Sequence, residues 1–377
     1  MTVRPSSAAL FACIVAAQFA VFEAGLRVWG SSEAAPSFQG LFTGDPIIGY
    51  RLKPNARIRF ATAEFDVRIN INGVGVRDDE EIAVKAQDER RIVVLGDSLV
   101  LSVQVPQQQT FCELLEQRLN ARASGVRYRV INAGVQGYGP VEELLFFRSL
   151  AAQLQPDAVL HVIFVGNDAE EALTSAPKLA GEQRPRTDAL RESAVNWLRR
   201  IVRNSMVLQV LRLRVLSATE RLALRQPPEP PLQTYAADPA PRIEKGIAAT
   251  RQCVDDVAKQ GATLGARTGV VLMPARFQVN EADYRALQEV VRQSGGELVR
   301  DAATERFNAA LSQLPLPRLD LLPPLRHAEA ESKVFFEQTV HLTPRGHEVV
   351  AEVLDRFVRE SRLLDEPPAR SRLPDGF

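Results

Sequence analysis

The chain has 377 residues, 45% of them hydrophobic and 24% charged, which is enough apolar material for one large core and too much for a disordered chain. Lysine plus arginine equal aspartate plus glutamate at 46 each, and no basic block or aromatic ladder occurs, so the composition gives no reason to expect a nucleic-acid partner. Three cysteines, Cys13, Cys112 and Cys253, lack metal-ligand spacing, and neither a metal nor another cofactor is expected.

The first predicted element is an apolar helix. Ala8 to Phe22 carries no charge, and counting on to Trp29 gives about the 20 residues that span a bilayer. No small-x-small cleavage site stands out, so residues 1–29 are expected to be an uncleaved signal anchor. The remainder would then lie on the periplasmic, extracytoplasmic side of a cell inner membrane; a buried helix of a soluble protein is the other reading.

Residues 30–88 form an extension. Asp45 to Asn55 is turn-rich, Ala63 to Asn72 alternates like a strand, and Gly73-Val74-Gly75-Val76-Arg77 leads inward. It is read either as a spacer or as a segment packed beside a functional rim.

From residue 89 an α/β pattern begins. Arg91 to Leu95 reads as a strand buried on both faces, and it stops at Gly96-Asp97-Ser98. Tyr128 to Ile131 is a second strand, followed by the glycine-rich Asn132 to Gly139 and by Pro140, which opens a helix to about Leu154. Ala158 to Val165 is a third strand, ending at Gly166-Asn167-Asp168. Three strands thus deliver polar groups to one rim, where open α/β sheets bind ligands.

Residues 169–241 depart from that pattern as a helical insertion. Within it, Arg191 to Leu224 is an arginine-bearing amphipathic helix that fits an anionic membrane surface, a lid or ordinary packing. Gln226 to Pro231 follows as a stiff proline connector. A helix near Arg242 to Lys259, a strand Gly269 to Met273 and a fifth strand at Glu297-Leu298-Val299 resume the core. Thr343 and Pro344 then cap and open a last amphipathic helix, with a tail at 362–377 expected to be disordered.

The rim residues suit acyl transfer, which needs a nucleophile, a base and donors for a developing oxyanion. Ser98 supplies the hydroxyl; its own N–H, the N–H of Gly137 and the amide of Asn167 supply donors. Of four histidines, His161 lies inside an apolar strand and reads as a hydrogen-bonded core residue, and His327 reads as solvated loop. His341, on a loop before Thr343, suits the base; His347, inside the first helical turn, is the alternative.

Ser98 in Gly-Asp-Ser, Gly137 in Asn-Ala-Gly-Val-Gln-Gly, Asn167 in Gly-Asn-Asp and His341 in His-Leu-Thr-Pro occur in the order of the four blocks of the SGNH/GDSL hydrolases, which residues 89–361 resemble. The resemblance implies a flavodoxin-like α/β/α sandwich with a five-stranded parallel sheet of order 2-1-3-4-5. It also implies a Ser-His esterase without metal, acting on a small-molecule, glycan or lipid ester. One element departs from the family: an aspartate usually stands two or three residues before the histidine, and here those positions hold Thr339 and Gln338. Glu337 is the nearest carboxylate and is expected to orient His341, unless Gln338 or a backbone carbonyl does so. An acyltransferase acting on cell-envelope or exopolysaccharide glycans, and a catalytically weakened binding or scaffold protein, are the other readings.

Overall fold

The computed structural model describes residues 38, 40–122, 125–180, 232–293 and 295–365. The expected anchor helix, the helix from Arg191 to Leu224 and the proline connector lie outside the described residues. Among those described, no helix is long and apolar enough to cross a membrane.

Two antiparallel hairpins come first: β1 (Phe42–Asp45) with β2 (Gly49–Leu52), and β3 (Arg57–Ala61) with β4 (Asp66–Asn70). Five parallel strands follow, β5 (Glu89–Gly96), β6 (Arg127–Gly134), β7 (Ala158–Phe164), β8 (Arg267–Met273) and β9 (Arg318–Asp320), in the order β6-β5-β7-β8-β9. The chain therefore steps from β5 to one side, then crosses back to the other. That reversal puts the switch point, and its crevice, at the carboxyl end of β5.

Alternation along β5 separates two layers. Val93 and Leu95 face the helix α3 (Pro140–Leu154), whereas Ile92 and Val94 face α2 (Phe111–Asn120) and α10 (Pro344–Glu360). Between these in the chain lie α1 (Ser98–Leu101), α4 (Asp168–Ser175), α5 (Pro241–Thr263), α6 (Arg276–Val279), α7 (Glu281–Gln293), α8 (Ala302–Leu311) and α9 (Leu322–Glu329). Helices cover both faces, as a parallel sheet requires.

The two hairpins are not a separate layer. Leu41, Leu52, Phe60, Val67, Ile69 and Val76 share one core with Val93, Leu95, Ile131 and the Phe146-Phe147 pair of α3. Arg77, 1% exposed, donates to the carbonyls of Leu101, Ser102 and Val105. A charge so deeply buried is held by carbonyl dipoles, and burial lowers it to about 10.

Three expectations are corrected. The fifth strand is β9, not Glu297 to Val299; Leu298 instead makes a single bridge with Ala236. His327 is exposed but helical, within α9. The start of the expected tail is packed, because Leu363 is 2% exposed and lies in the core beside Phe357, and residues 366–377 lie outside the described residues.

Candidate active site

Ser98 opens α1 immediately after β5, with Asp97 as the N-cap accepting from the Leu99 N–H at 2.8 Å. This short turn lies directly on the sheet. A Cβ on Gly134 would overlap the backbone of Val100 and Leu101, so glycine there admits the nucleophile turn. The Ser98 hydroxyl is 3.0 Å from His341 Nε2. Residues 243 apart in sequence thus form the hydroxyl–imidazole pair that the sequence suggests.

His341 stands on a tight loop closed by Phe336 N–H to His341 C=O at 3.0 Å and by Thr343 N–H to Val334 C=O at 2.9 Å. Thr343 caps α10, its hydroxyl accepting from Gly346 N–H at 3.2 Å. Burial lowers the His341 imidazole to about 4, so the ring is neutral at pH 7 and available as a base. Nε2 faces a hydroxyl, and Nδ1 is buried without a hydrogen-bond partner among the described residues.

Glu337 does not orient that ring. Its carboxylate pairs with Lys333, both side chains lying well out in solvent. Pairing with Lys333 holds the carboxyl below its usual range. The backbone N–H groups of Glu337 and Gln338 are instead taken by the two carboxylate oxygens of Glu64, at 2.8 and 3.0 Å. Arg276, from α6, donates to the carbonyls of Phe336, Glu337 and Thr339 on the same loop.

Gly137 follows β6 at φ +72°, a conformation that favours glycine. The Tyr50 hydroxyl donates to the preceding carbonyl, Gln136, at 2.8 Å. Asn167, at the head of α4, donates from Nδ2 to Glu171 at 2.9 Å. Gly137 and Glu171 line one pocket of about 230 Å³, together with Gly139, Glu142, Glu170, Thr174 and Ser175. Burial and the nearby carboxylates of Asp97 and Glu142 raise Glu171 to about 7. Ser98, Gly137 and Asn167 thus lie on the loops after three adjacent strands, and His341 meets Ser98 from the loop before α10.

His161 and His347 are structural. His161, fully buried, places Nε2 2.8 Å from Glu143 Oε2; burial raises the carboxyl and lowers the imidazole, each towards its uncharged form. His347 accepts from Phe111 N–H at 3.2 Å through Nδ1 and stacks on that ring. Tyr50, Glu64, Arg77 and Arg276 are not legible as site residues in the sequence, because each reaches the site through a long-range contact.

A sheet of this order, with the serine hydroxyl at its switch point and the imidazole from the last loop, is the arrangement that the sequence resemblance implies. A family model described as an SGNH hydrolase-like domain, acetyltransferase AlgX, matches residues 233–373. That match includes His341 but begins after Ser98, Gly137 and Asn167. No curated protein matches the chain. Among solved structures, the chain is similar to TesA at 12% identity and a TM-score of 0.39, covering 72% of this chain and 99% of that one. It is similar to a lipase/acylhydrolase from Enterococcus faecalis at 12% and 0.39, covering 74% and 100%. A catalytic mutant of Axe2, an acetylxylan esterase from Geobacillus stearothermophilus, gives 12% and 0.37, covering 71% and 94%.

Proposed function

We propose that the protein is a serine esterase that cleaves O-acyl esters, O-acetyl esters foremost. The observation that carries this reading is the 3.0 Å approach of Ser98 Oγ to a neutral His341 Nε2. In this scheme Nε2 takes the hydroxyl proton as the serine oxygen attacks the ester carbonyl. The oxyanion is received by the N–H groups of Ser98 and Gly137 and the amide of Asn167. The alcohol leaves with the proton from His341, and water, deprotonated by the same ring, releases the acid and restores Ser98.

A second reading is supported by the acetyltransferase named in the matching family model. In it a glycan hydroxyl replaces water, and the acyl group passes to a sugar. The uncharged run from Ala8 to Phe22 supports a membrane anchor that holds the domain outside the cytoplasm. Membrane fractionation of the full chain tests that location.

The deciding experiment is covalent labelling by a fluorophosphonate, comparing the protein with Ser98→Ala and His341→Ala. Labelling that needs both residues supports the pair. Folded protein that resists labelling would sink the esterase and leave a binding role. Product ratios with added sugar acceptors separate hydrolysis from transfer.

A further inference from the structure

We propose that Glu64, at the tip of the β3–β4 hairpin, is the positioning residue for His341, doing through the loop backbone what no side chain does at the ring. The proposal rests on the Ser98–His341 reading above.

The ring has a partner on one side only. Nε2 meets Ser98, and Nδ1 is buried with no acceptor among the described residues. Its direction therefore depends on the backbone that carries it, and the tip of that loop, residues 337–340, has no helix or strand to hold it. Whatever fixes the tip fixes the base.

Glu64 does so with both oxygens, accepting from two successive N–H groups at 2.8 and 3.0 Å. Bonds to an ionised acceptor are the stronger kind. The hairpin tip that offers this carboxylate is itself pinned. Thr62 Oγ1 accepts from the N–H of Glu64 at 3.1 Å and of Phe65 at 3.3 Å. Phe65 stacks on Phe60 and meets the Phe336 ring, centroids 5.5 Å apart, at the root of the histidine loop. Arg276 holds the carbonyls of the same loop, so its donors and acceptors are clamped from opposite signs of charge. A displacement of about 1 Å at a reacting group is worth roughly 10² in rate, which sets the effect expected from loosening this clamp.

The test compares Glu64→Ala, Glu64→Gln and Asp66→Asn with the unaltered protein, by fluorophosphonate labelling rate, kcat and KM on p-nitrophenyl acetate, and thermal midpoint. Glu64→Ala loses both acceptors and is expected to lower kcat and labelling roughly 10²-fold with KM within about twofold. Glu64→Gln keeps one acceptor oxygen and is expected to lose roughly tenfold at an unchanged midpoint. Asp66→Asn breaks only the hairpin's outer pair with Arg59 and is expected to leave kcat unchanged. If Glu64→Ala unfolds, Glu64→Gln decides. Active unaltered protein whose Glu64 variants match it in kcat overturns the positioning role alone; loss in KM rather than kcat also overturns it. Inert unaltered protein overturns the esterase reading and this proposal together.

Discussion

The Tyr50 hydroxyl, from the second strand of the first hairpin, donates to the Gln136 carbonyl at 2.8 Å and so closes over the glycine loop. A Cβ on the next residue, Gly137, would stand 3.0 Å from that hydroxyl. Tyr50→Phe keeps the ring contact with Tyr138 and removes only the bond, worth about 1 kcal/mol, or about 2–4 °C in midpoint. Labelling is expected to slow about 3–10-fold, because the Gly137 N–H loses its fixed direction. Labelling kinetics and a thermal melt of the one variant check both numbers.

Gly137→Ala is the harsher change. It places a side chain at φ +72° and presses it against Tyr50, moving the loop that carries a proposed oxyanion donor. Turnover is expected to fall about 10²–10³-fold with the fold retained. Circular dichroism beside the rate measurement separates this from unfolding; full activity would remove Gly137 from the donors.

The pH profile should be displaced to acid. An ordinary histidine loses its neutral form near pH 6.5, whereas burial lowers His341 to about 4. Labelling is expected to stay level from pH 8 to about 5 and to halve near 4. Stability moves the same way, since the unfolded chain binds these protons first. For His341 at about 4 and His161 at about 3, stability is present above pH 6.5 and lost as pH falls towards those values. A labelling midpoint near 6.5 would mean an unperturbed ring.

Glu171 gives the opposite slope. Its folded value, raised to about 7, lies above its unfolded one, so its contribution is full below about pH 4.5 and lost as pH rises through 7. Glu171→Gln retains the oxygen that accepts from Asn167 and removes the charge. The variant is expected to melt higher than the unaltered protein at pH 8 and equally at pH 4.5. Melts at the two pH values decide it.

Glu337→Gln is expected to leave turnover unchanged, because the carboxylate faces Lys333 and solvent. A loss above threefold on p-nitrophenyl acetate would restore Glu337 as the orienting acid.

What the sequence revealed was local chemistry. The helix from Pro140 to Leu154 and the one opened by Thr343 and Pro344 begin where expected, since a cap and an N1 proline act on their own turn. The four long strands were legible because burial on both faces leaves an apolar run. The fifth, Arg318 to Asp320, is a three-residue edge strand with no residue fully buried and no such run. The apolar Leu298 misled because it packs as a single bridge rather than as a strand. Glu64, Tyr50 and Arg77 leave no local trace, for their bonds span 273, 86 and 24 residues. Proximity in sequence points to Glu337, whereas the carboxylate that meets the histidine loop's backbone is Glu64, far away in the chain.

The same long reach has a consequence in time. Synthesis at about 5–20 residues per second puts roughly 14–55 s between Glu64 and the Glu337 N–H that it grips. The hairpin is among the first parts of the described chain to emerge and its partner among the last. The Ser98–His341 pair is thus assembled only after the 243 residues that separate them have been made, and a chain that stops within that stretch carries the serine without its imidazole.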